Sequence, residues 1–508
     1  MKVSLSRIFQ LLFLALFLFL FITTDYRGKD EISVALNSFF RMDPFVAASY
    51  LLSAKTFTLL LLPGLLVLLF SAVIGRFFCG WMCPLGTVID LWGGTRSGAA
   101  KGRPLSFLKG RFKYYLLFTI LFSAFFGMDL AGLLDPIAIL TRFLTFSLYP
   151  LFGFLAKAGW VGLFRILGDG RDYLEPGYSF LKSYVLPFRD TFYPLAFVSL
   201  LFFLGVLFLE RFERRNWCRN LCPAGALLGL LGRFSIFRRV PARLCGDCRD
   251  CGDHCPAAFD EELFQKQDCI RCIGCVGKCS RGRAAFRLSF PAPTGGAPAF
   301  QPGRRVFVTG LLSGLFVSRM LGRKTGPLRE TALLRPPGVE KEGEFLEKCV
   351  RCGECMKVCL RSALYPVSFQ AGLYGLYTPT VVPRLGYCEY NCSLCGQVCP
   401  TGAIPKLPVE VKKKAVIGLA VVDKNCCLPH AKKMNCMVCE EHCPIPDKAI
   451  RFESVSEKGY DGKEIALKKP YVVESLCNGC GICEYVCPLE EKAGIEVFKK
   501  VKRKDFRI

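Results

Sequence analysis

Apolar residues fall into long runs before about residue 210 of this chain and into short pieces after it. The first run, Ile8–Thr23, follows Lys2 and Arg7. Three more cover about Phe57–Gly75, Tyr114–Leu133 and Thr191–Leu209. Each approaches the ~20 residues that cross a bilayer, so the pattern predicts a four-helix transmembrane bundle. No A-x-A-like cleavage site follows the first run, which is therefore read as a helix rather than a signal peptide. Between the third and fourth runs, pieces such as Ile139–Phe154 are broken by Arg142, Pro150 and Lys157. They read as interfacial helices, with a further membrane hairpin as the alternative. Gly225–Phe237, followed by Arg238 and Arg239, reads as an interfacial amphipathic helix.

Charge orients the bundle. Seven basic residues (Arg76, Arg96, Lys101, Arg103, Lys109, Arg111, Lys113) face a single acid, Asp90, between runs two and three. Arg211, Arg214, Arg215 and Arg219 follow run four, whereas Asp25–Lys55 is balanced. The positive-inside rule puts the basic segments and the N-terminus in the cytoplasm, and Asp135–Asp190 outside. A net charge of +25 fits such loops facing anionic lipid. No nucleic-acid-binding motif accompanies it.

After residue 240 the pattern changes. Phe290–Gly303 is Pro/Gly/Ala-rich and reads as a linker. Arg304-Arg305 then precede the apolar stretch Val306–Val317, which has the length of a signal h-region. Export of the chain beyond it and a helix docked on the membrane surface both fit. β-Branched pieces such as Tyr377–Val382 and Ala415–Val422 suit hairpins of an α+β bacterial ferredoxin-like module. The expected parts are a membrane domain over 1–240, a two-cluster module over 241–290, a linker with the twin-arginine-like segment over 291–340, and a four-cluster polyferredoxin over 341–508.

The chemistry lies in 29 cysteines. Cys245, Cys248, Cys251, Cys255 and Cys269, Cys272, Cys275, Cys279 are both spaced C-x2-C-x2-C-x3-C, the pattern of bacterial [4Fe–4S] ferredoxins. Three thiolates on a tight loop hold one cubane, and the fourth reaches its neighbour. Cys279 is thus expected with the first three, and Cys255 with Cys269, Cys272 and Cys275. Structural zinc favours two separated C-x2-C pairs instead. Four further groups lie beyond them: Cys349, Cys352, Cys355, Cys359; Cys388, Cys392, Cys395, Cys399; Cys436, Cys439, Cys443; and Cys477, Cys480, Cys483, Cys487. The third needs Cys426 or Cys427 as its first ligand, with Cys427 slightly favoured. Sequential and nested crossing of the fourth cysteines both fit. Six [4Fe–4S] clusters are expected. Cys79-x3-Cys83-Pro84 and Cys218-x3-Cys222-Pro223 end the second and fourth helices, and could together hold a seventh metal centre. The grouping argues against a disulfide scaffold. With only His254, His430 and His442, and no C-x-x-C-H, no haem is expected.

These motifs make the chain resemble a fusion of two families. Residues 1–290 resemble the H-type membrane ferredoxin of periplasmic nitrate reductase systems, through four helices, the two C-x3-C-P motifs and the Cys245–Cys279 runs. Residues 304–508 resemble the G-type partner and the methylamine-utilisation ferredoxin, through Arg304-Arg305-x-Phe and four cysteine groups. The resemblance implies a multi-pass inner-membrane electron-transfer protein of the quinol dehydrogenase type. It would oxidise a membrane quinol and pass electrons to a redox partner such as a cytochrome or reductase. In that family the G-type part is exported; here it is joined to the membrane half, which favours a tethered domain. Quinol oxidation releases protons, and Asp129 and Asp135 are candidate acceptors, although ordinary helix-end charge is the plainer role. A maturation factor handling copper, or a redox-sensing scaffold, are the alternative functions.

Overall fold

The computed structural model describes residues 5–94, 112–167, 175–240, 269–277, 285–288, 303–321 and 333–499, apart from 29, 33–34, 371 and 459–463, together with 255, 256 and 279. Cys245, Cys248 and Cys251, most of the Phe290–Gly303 linker and most of the Arg96–Arg111 basic loop lie outside these residues.

The first half is helical. It runs α1 (Leu5–Thr23), α2 (Pro44–Ala54), α3 (Leu62–Ile74, after the turn Leu59–Leu61), α4 (Pro84–Gly94) and α5 (Phe112–Phe125). Then come α6 (Pro136–Phe143), α7 (Tyr149–Leu167), α8 (Ala196–Phe208) and α9 (Pro223–Gly232). Among the described residues two stretches are long and apolar enough to cross a membrane, Leu5–Thr23 and Pro136–Ile166; α2, Leu59–Ile74, α5 and α9 are shorter apolar helices. Large apolar side chains such as Leu12, Phe19, Leu69, Phe70, Phe197 and Leu201 are exposed along these helices. A belt of that kind marks a surface covered by something other than water.

Four expectations change. The third run stops at Phe125, because Gly127 takes a positive φ of 83° and the chain turns toward Asp129. The pieces around Ile139–Phe154 are one continuous helix rather than interfacial fragments. Arg142 is tolerated inside because its guanidinium donates to the Gly132 and Leu133 carbonyls. Pro150 is absorbed by a π-helical turn, Leu144–Leu148, which joins α6 to α7. Gly225–Phe237 is not interfacial. Its helix, α9, buries Gly225, Ala226, Leu228, Gly229 and Gly232 against α3 and α5. Small residues let those backbones approach, with the Cβ position of Gly232 3.4 Å from Gly75 Cα.

The fourth change is the twin-arginine-like segment. It forms α10 (Arg304–Leu321), an 18-residue helix longer than the predicted apolar stretch. α10 packs along α5 through Gly310-x3-Gly314, whose Cβ positions fall 2.4 Å from Phe118 Cβ and 2.6 Å from Phe122 Cβ. The Thr119 and Ser313 hydroxyls share a 2.6 Å hydrogen bond, and Phe307 meets Phe118 and Phe122 edge to face. Residue 310 faces 118 and 314 faces 122, so the two helices run parallel. Small-x3-small spacing is the close-packing device of membrane helices.

The second half is built of short paired strands around cysteine loops. Strands β1 (Phe237–Val240) and β2 (Ala285–Leu288) flank the Cys245–Cys279 module as an antiparallel pair. In the C-terminal part β3 (Leu364–Pro366) pairs with β4 (Pro379–Val381), and β5 (Leu419–Val422) with β8 (Ile495–Phe498). The long hairpin β6 (Ile450–Lys458) and β7 (Glu464–Val472) is inserted between β5 and β8.

The two cysteine regions dock on opposite ends of the helical half. Arg271 donates to the Ile74 carbonyl at the end of α3, and its own carbonyl accepts from Trp81 Nε1. At the start of the same helical stretch, Leu60 touches Gly402 of the C-terminal part. At ~1.5 Å per residue, Leu59–Ile74 spans about 24 Å between them. Both docks use one device. Ile270-Arg271-Cys272 and Val350-Arg351-Cys352 are equivalent loops, and Arg271 and Arg351 both take φ of 56°. A Cβ on Gly80 would lie 2.3 Å from the Ile270 oxygen, and one on Gly132 1.9 Å from the Val350 oxygen. Arg351 then reaches the Asp129 carbonyl, and Ser53, Tyr374 and Lys357 add hydrogen bonds across the same face.

Gly132→Val should therefore force the Val350 loop off the helical half. The expected cost is roughly 1–3 kcal/mol, seen as a lower thermal midpoint in detergent and faster proteolytic release of the C-terminal part. Gly159→Ala, with nothing within 4 Å of its Cβ position, should leave both unchanged.

Candidate functional site

Each C-terminal cysteine run folds as a loop leading into a one-turn helix: Glu354–Lys357, Leu394–Gln397, Val438–Glu441 and Ile482–Tyr485. Gly353 and Gly481, at φ of 89° and 84°, cap the first and last of these helices, where a side chain would be strained. The third cysteine of each run sits on its short helix and the fourth just beyond it. There Cys359, Cys399 and Cys487 accept N–H groups from Ala363, Ile404 and Gly494 at 3.1, 3.4 and 3.2 Å.

The fourth cysteines cross over in sequential pairs. Cys349, Cys352, Cys355 and Cys399 line one cavity of about 360 Å³. Cys359 lies within electrostatic range of Cys392 and Cys395, which with Cys388 complete the reciprocal set. Cys427, Cys436, Cys439 and Cys487 line a third cavity, of about 380 Å³. Cys477, Cys480, Cys483 and Cys443 line a fourth, of about 320 Å³. Cys427 is buried on its cavity, whereas Cys426 Sγ points to the Asp423 and Ala493 carbonyls.

These cavities fit an iron–sulfur cubane. Among the described residues no three Cys, His, Asp or Glu side chains converge closely enough to hold a single metal ion, as tetrahedral zinc with Zn–S near ~2.3 Å would require. The thiols instead line the cavities in sets of four, the donor set of a [4Fe–4S] cubane. Burial pushes Cys349 up to about 11, and Cys439 and Cys480 up to about 12. Such thiols ionise only against a bound cation, so loading a cluster releases their protons.

At the opposite end, the C-x3-C-P motifs come together. Cys83 lies in electrostatic range of Cys79 and Cys218, and Cys222 of all three others. Each second cysteine heads a helix with proline in its first position, Cys83 before α4 and Cys222 before α9. Each thiol accepts the N–H of the residue three further on, Gly86 at 3.4 Å and Gly225 at 3.3 Å.

Two arginines complete the arrangement. Arg215 donates to the Cys79 carbonyl and forms an ion pair with Asp90 at 2.6 Å, while Arg76 donates to the Cys218 carbonyl. Both guanidiniums are buried. The motif is therefore Arg-x2-Cys-x3-Cys-Pro-x-Gly, present at Arg76–Gly86 and Arg215–Gly225, with each arginine serving the other copy. The spacing of C-x3-C-P alone gave no sign of the arginines; the identical three-residue offset in both copies was the signal available. Cys272 of the adjoining module lies in range of Arg215. Of the Cys245–Cys279 runs, the described members are Cys255, Cys269, Cys272, Cys275 and Cys279.

The two aspartates singled out in the sequence are wholly buried at the other end. Asp129 accepts from Ser49 Oγ at 2.6 Å and Ala131 N, and Asp135 caps α6 through Ala138 N. Asp43 caps α2 in the same way, again followed by proline. These are helix-start and turn contacts, the plainer of the two expected roles.

Residues 56–113 and 193–241 match the model of the 4Fe-4S binding domain, and 348–403 and 434–490 that of the 4Fe-4S dicluster domain. The chain is 28% identical over 301 residues to the ferredoxin-type protein NapH of Haemophilus influenzae, covering 56% of this chain and 88% of that protein. It is 36% identical over 135 residues to the ferredoxin-type protein NapG of Escherichia coli, covering 25% of this chain and 58% of that one. The methylamine utilization ferredoxin-type protein MauN of Methylorubrum extorquens is 28% identical over 231 residues, 44% of this chain and 63% of its own. The chain is thus similar to the ferredoxin-type proteins of the NapH/MauN family. No solved structure matches it. Its relatives are electron-transport proteins with 4Fe-4S domains, and both NapH- and NapG-type proteins are among them.

The crossing makes a specific prediction. Cys427→Ala should remove about four irons per chain, the content of one cubane, whereas Cys426→Ala should leave iron content unchanged. Cys399→Ala should alter the electron paramagnetic resonance signal shared with Cys355→Ala, not the one altered by Cys395→Ala.

Proposed function

We propose that the chain is a membrane-bound electron-transfer protein that oxidises quinol and passes electrons through six [4Fe–4S] clusters to a redox partner protein. The single observation that carries this is the set of crossed cysteine quartets seated directly on an apolar helical half. Ligands in the C-terminal part are Cys349, Cys352, Cys355, Cys399; Cys388, Cys392, Cys395, Cys359; Cys427, Cys436, Cys439, Cys487; and Cys477, Cys480, Cys483, Cys443. The remaining two clusters use Cys245, Cys248, Cys251, Cys279 and Cys269, Cys272, Cys275, Cys255. Cys79, Cys83, Cys218 and Cys222 hold a seventh centre. A cubane supplies reversible one-electron transfer, with a potential set by hydrogen bonds to sulfur and by solvent exposure. The chain's contribution is to supply those N–H donors, bury the thiols and hold neighbouring cysteine sets side by side.

The helical half spans the membrane, with Arg76, Arg215 and the C-x3-C-P motifs at the cytoplasmic end. α10 is a further span, parallel to α5, with Arg304 and Arg305 inside. It carries residues 333–499 to the outer face without cleavage, as a tethered domain. The close Gly310/Gly314 packing and the docking of Arg351 and Lys357 at the end opposite Arg271 support this reading.

Two measurements test it. Anaerobic addition of a short-chain quinol should produce reduced-cluster resonances within minutes; clusters that stay oxidised while dithionite reduces them would refute quinol oxidation. A fluorescent reporter that matures only in the cytoplasm should stay dark when fused after Ile508; fluorescence would refute the outward placement.

A further inference from the structure

A cleft of about 420 Å³ lies where the outer end of the helical half meets the C-terminal part. Its lining includes Asp25, Thr145, Tyr149, Phe188, Tyr193 and Cys359. Three properties distinguish it from the other cysteine cavities. Tyr26, Tyr149, Phe188 and Tyr193 give it aromatic walls. It reaches Cys359, the crossed member of the Cys388, Cys392, Cys395 set. Asp25, Thr145 and Tyr149 come from the helical half and stand close to exposed apolar surface, since Leu148 and Leu151 are 44% and 49% exposed and Phe188 52%.

The polar groups are arranged for a two-ended ligand. Asp25 accepts from Tyr149 Oη at 2.9 Å through Oδ2 and from Tyr26 N at 2.8 Å through Oδ1. A carboxylate has further lone pairs to offer. Thr145 belongs to the π-helical turn; it is 2% exposed and its Oγ1 has no hydrogen-bond partner. A buried hydroxyl left unpaired costs about 1–3 kcal/mol, and π-turns recur at functional sites. The Lys357 ammonium closes the cleft from the ferredoxin side, held by the Phe21 and Thr24 carbonyls and 4.8 Å above the Tyr149 ring.

We propose that this cleft binds the head group of a lipid-soluble para-quinol, with Thr145 at one hydroxyl and the Asp25–Tyr149 pair at the other. This rests on the quinol-oxidising reading and gives it a site. Oxidation breaks both quinol O–H bonds and yields quinone, two protons and two electrons. Asp25 takes the proton of the hydroxyl it faces and releases it to outer water, and the proton of the hydroxyl at Thr145 leaves to water at the cleft mouth. Cys359, Cys388, Cys392 and Cys395 would hold the cluster beside the cleft, and that cluster would supply the one-electron acceptor for the two electrons in succession. Asp129 and Asp135 take no part.

The test uses the holoprotein in lipid nanodiscs and 2-heptyl-4-hydroxyquinoline N-oxide, a quinol analogue whose fluorescence is quenched on binding. Wild type should bind it, and Thr145→Phe, which fills the cleft, should weaken binding at least tenfold. The dithionite-reduced cluster spectrum should be unchanged. Asp25→Asn should retain binding within about threefold but slow cluster reduction by quinol about 10²-fold, the usual worth of a positioned base. Should Thr145→Phe not accumulate, Phe188→Ala at the exposed rim is expected to weaken binding at least threefold. If these variants bind the analogue and accept electrons from quinol as wild type does, the cleft is not the site although quinol oxidation stands. If wild type neither binds the analogue nor accepts electrons from quinol, both readings fall.

Discussion

The structure depends on a backbone oxygen pressed against a glycine. At each end of the helical half, the carbonyl before the arginine of a C-x-R-C loop sits where a Cβ would be, on Gly80 or on Gly132. Only a residue without a side chain permits that approach. The contact brings the cysteine loop itself, rather than a distant face of a ferredoxin module, against the helices. Arg271 and Arg351 then use a left-handed backbone to turn their guanidiniums into the helical half, where carbonyls receive them. A cysteine-held cofactor placed in that way is shielded by the helices it serves. The same geometry explains why buried arginines recur here: they satisfy carbonyls freed where helices stop.

The two ends are chemically opposite variants of one plan. α2 and α6 begin Asp-Pro, with Asp43 and Asp135 as caps; α4 and α9 begin Cys-Pro, with Cys83 and Cys222 in that position. Proline fits the first helical position because its missing N–H would be unpaired there anyway. The residue before it faces the free N–H groups and the positive end of the helix dipole. At one end that position is filled by carboxylates, at the other by thiols. The chain thus carries an internal repeat of helix starts that no local sequence window displays, since the copies are separated by unequal insertions.

Much of the plan was legible in the sequence. The cysteine runs were plain because three thiols on one loop force a short spacing, and Leu5–Thr23 was plain because its apolar run is long enough to cross a bilayer. The choice between sequential and nested crossing was not legible, because it depends on strand pairing between residues far apart, β3 with β4 and β5 with β8. Arg142 and Pro150 misled the reading of Ile139–Phe154, because local rules count a charge and a proline as breaks. A neighbouring helix end and a π-turn supplied partners that lie outside any local window. Asp25 was hidden for a related reason. It lies in a loop with balanced charge, and only the docked ferredoxin turns that loop into a wall.

The separation of the ends bears on mechanism. The stretch Leu59–Ile74, about 24 Å long, separates the two docking faces, with the cleft at Cys359 on one side and the four thiols of the C-x3-C-P motifs on the other. Cys83 and Cys222 head helices, the Cys79 and Cys218 carbonyls accept from Arg215 and Arg76, and Cys272 lies in range of Arg215. Helix starts and guanidiniums place positive charge beside those thiols, and that charge would balance an anionic centre held there. The proposed quinol site instead combines a carboxylate, a phenol and a free hydroxyl, groups suited to receiving protons. On the quinol-oxidising reading, positive charge at one end would balance an anionic centre and the groups at the other would receive protons. A protein that separates protons from electrons across a membrane face needs that division.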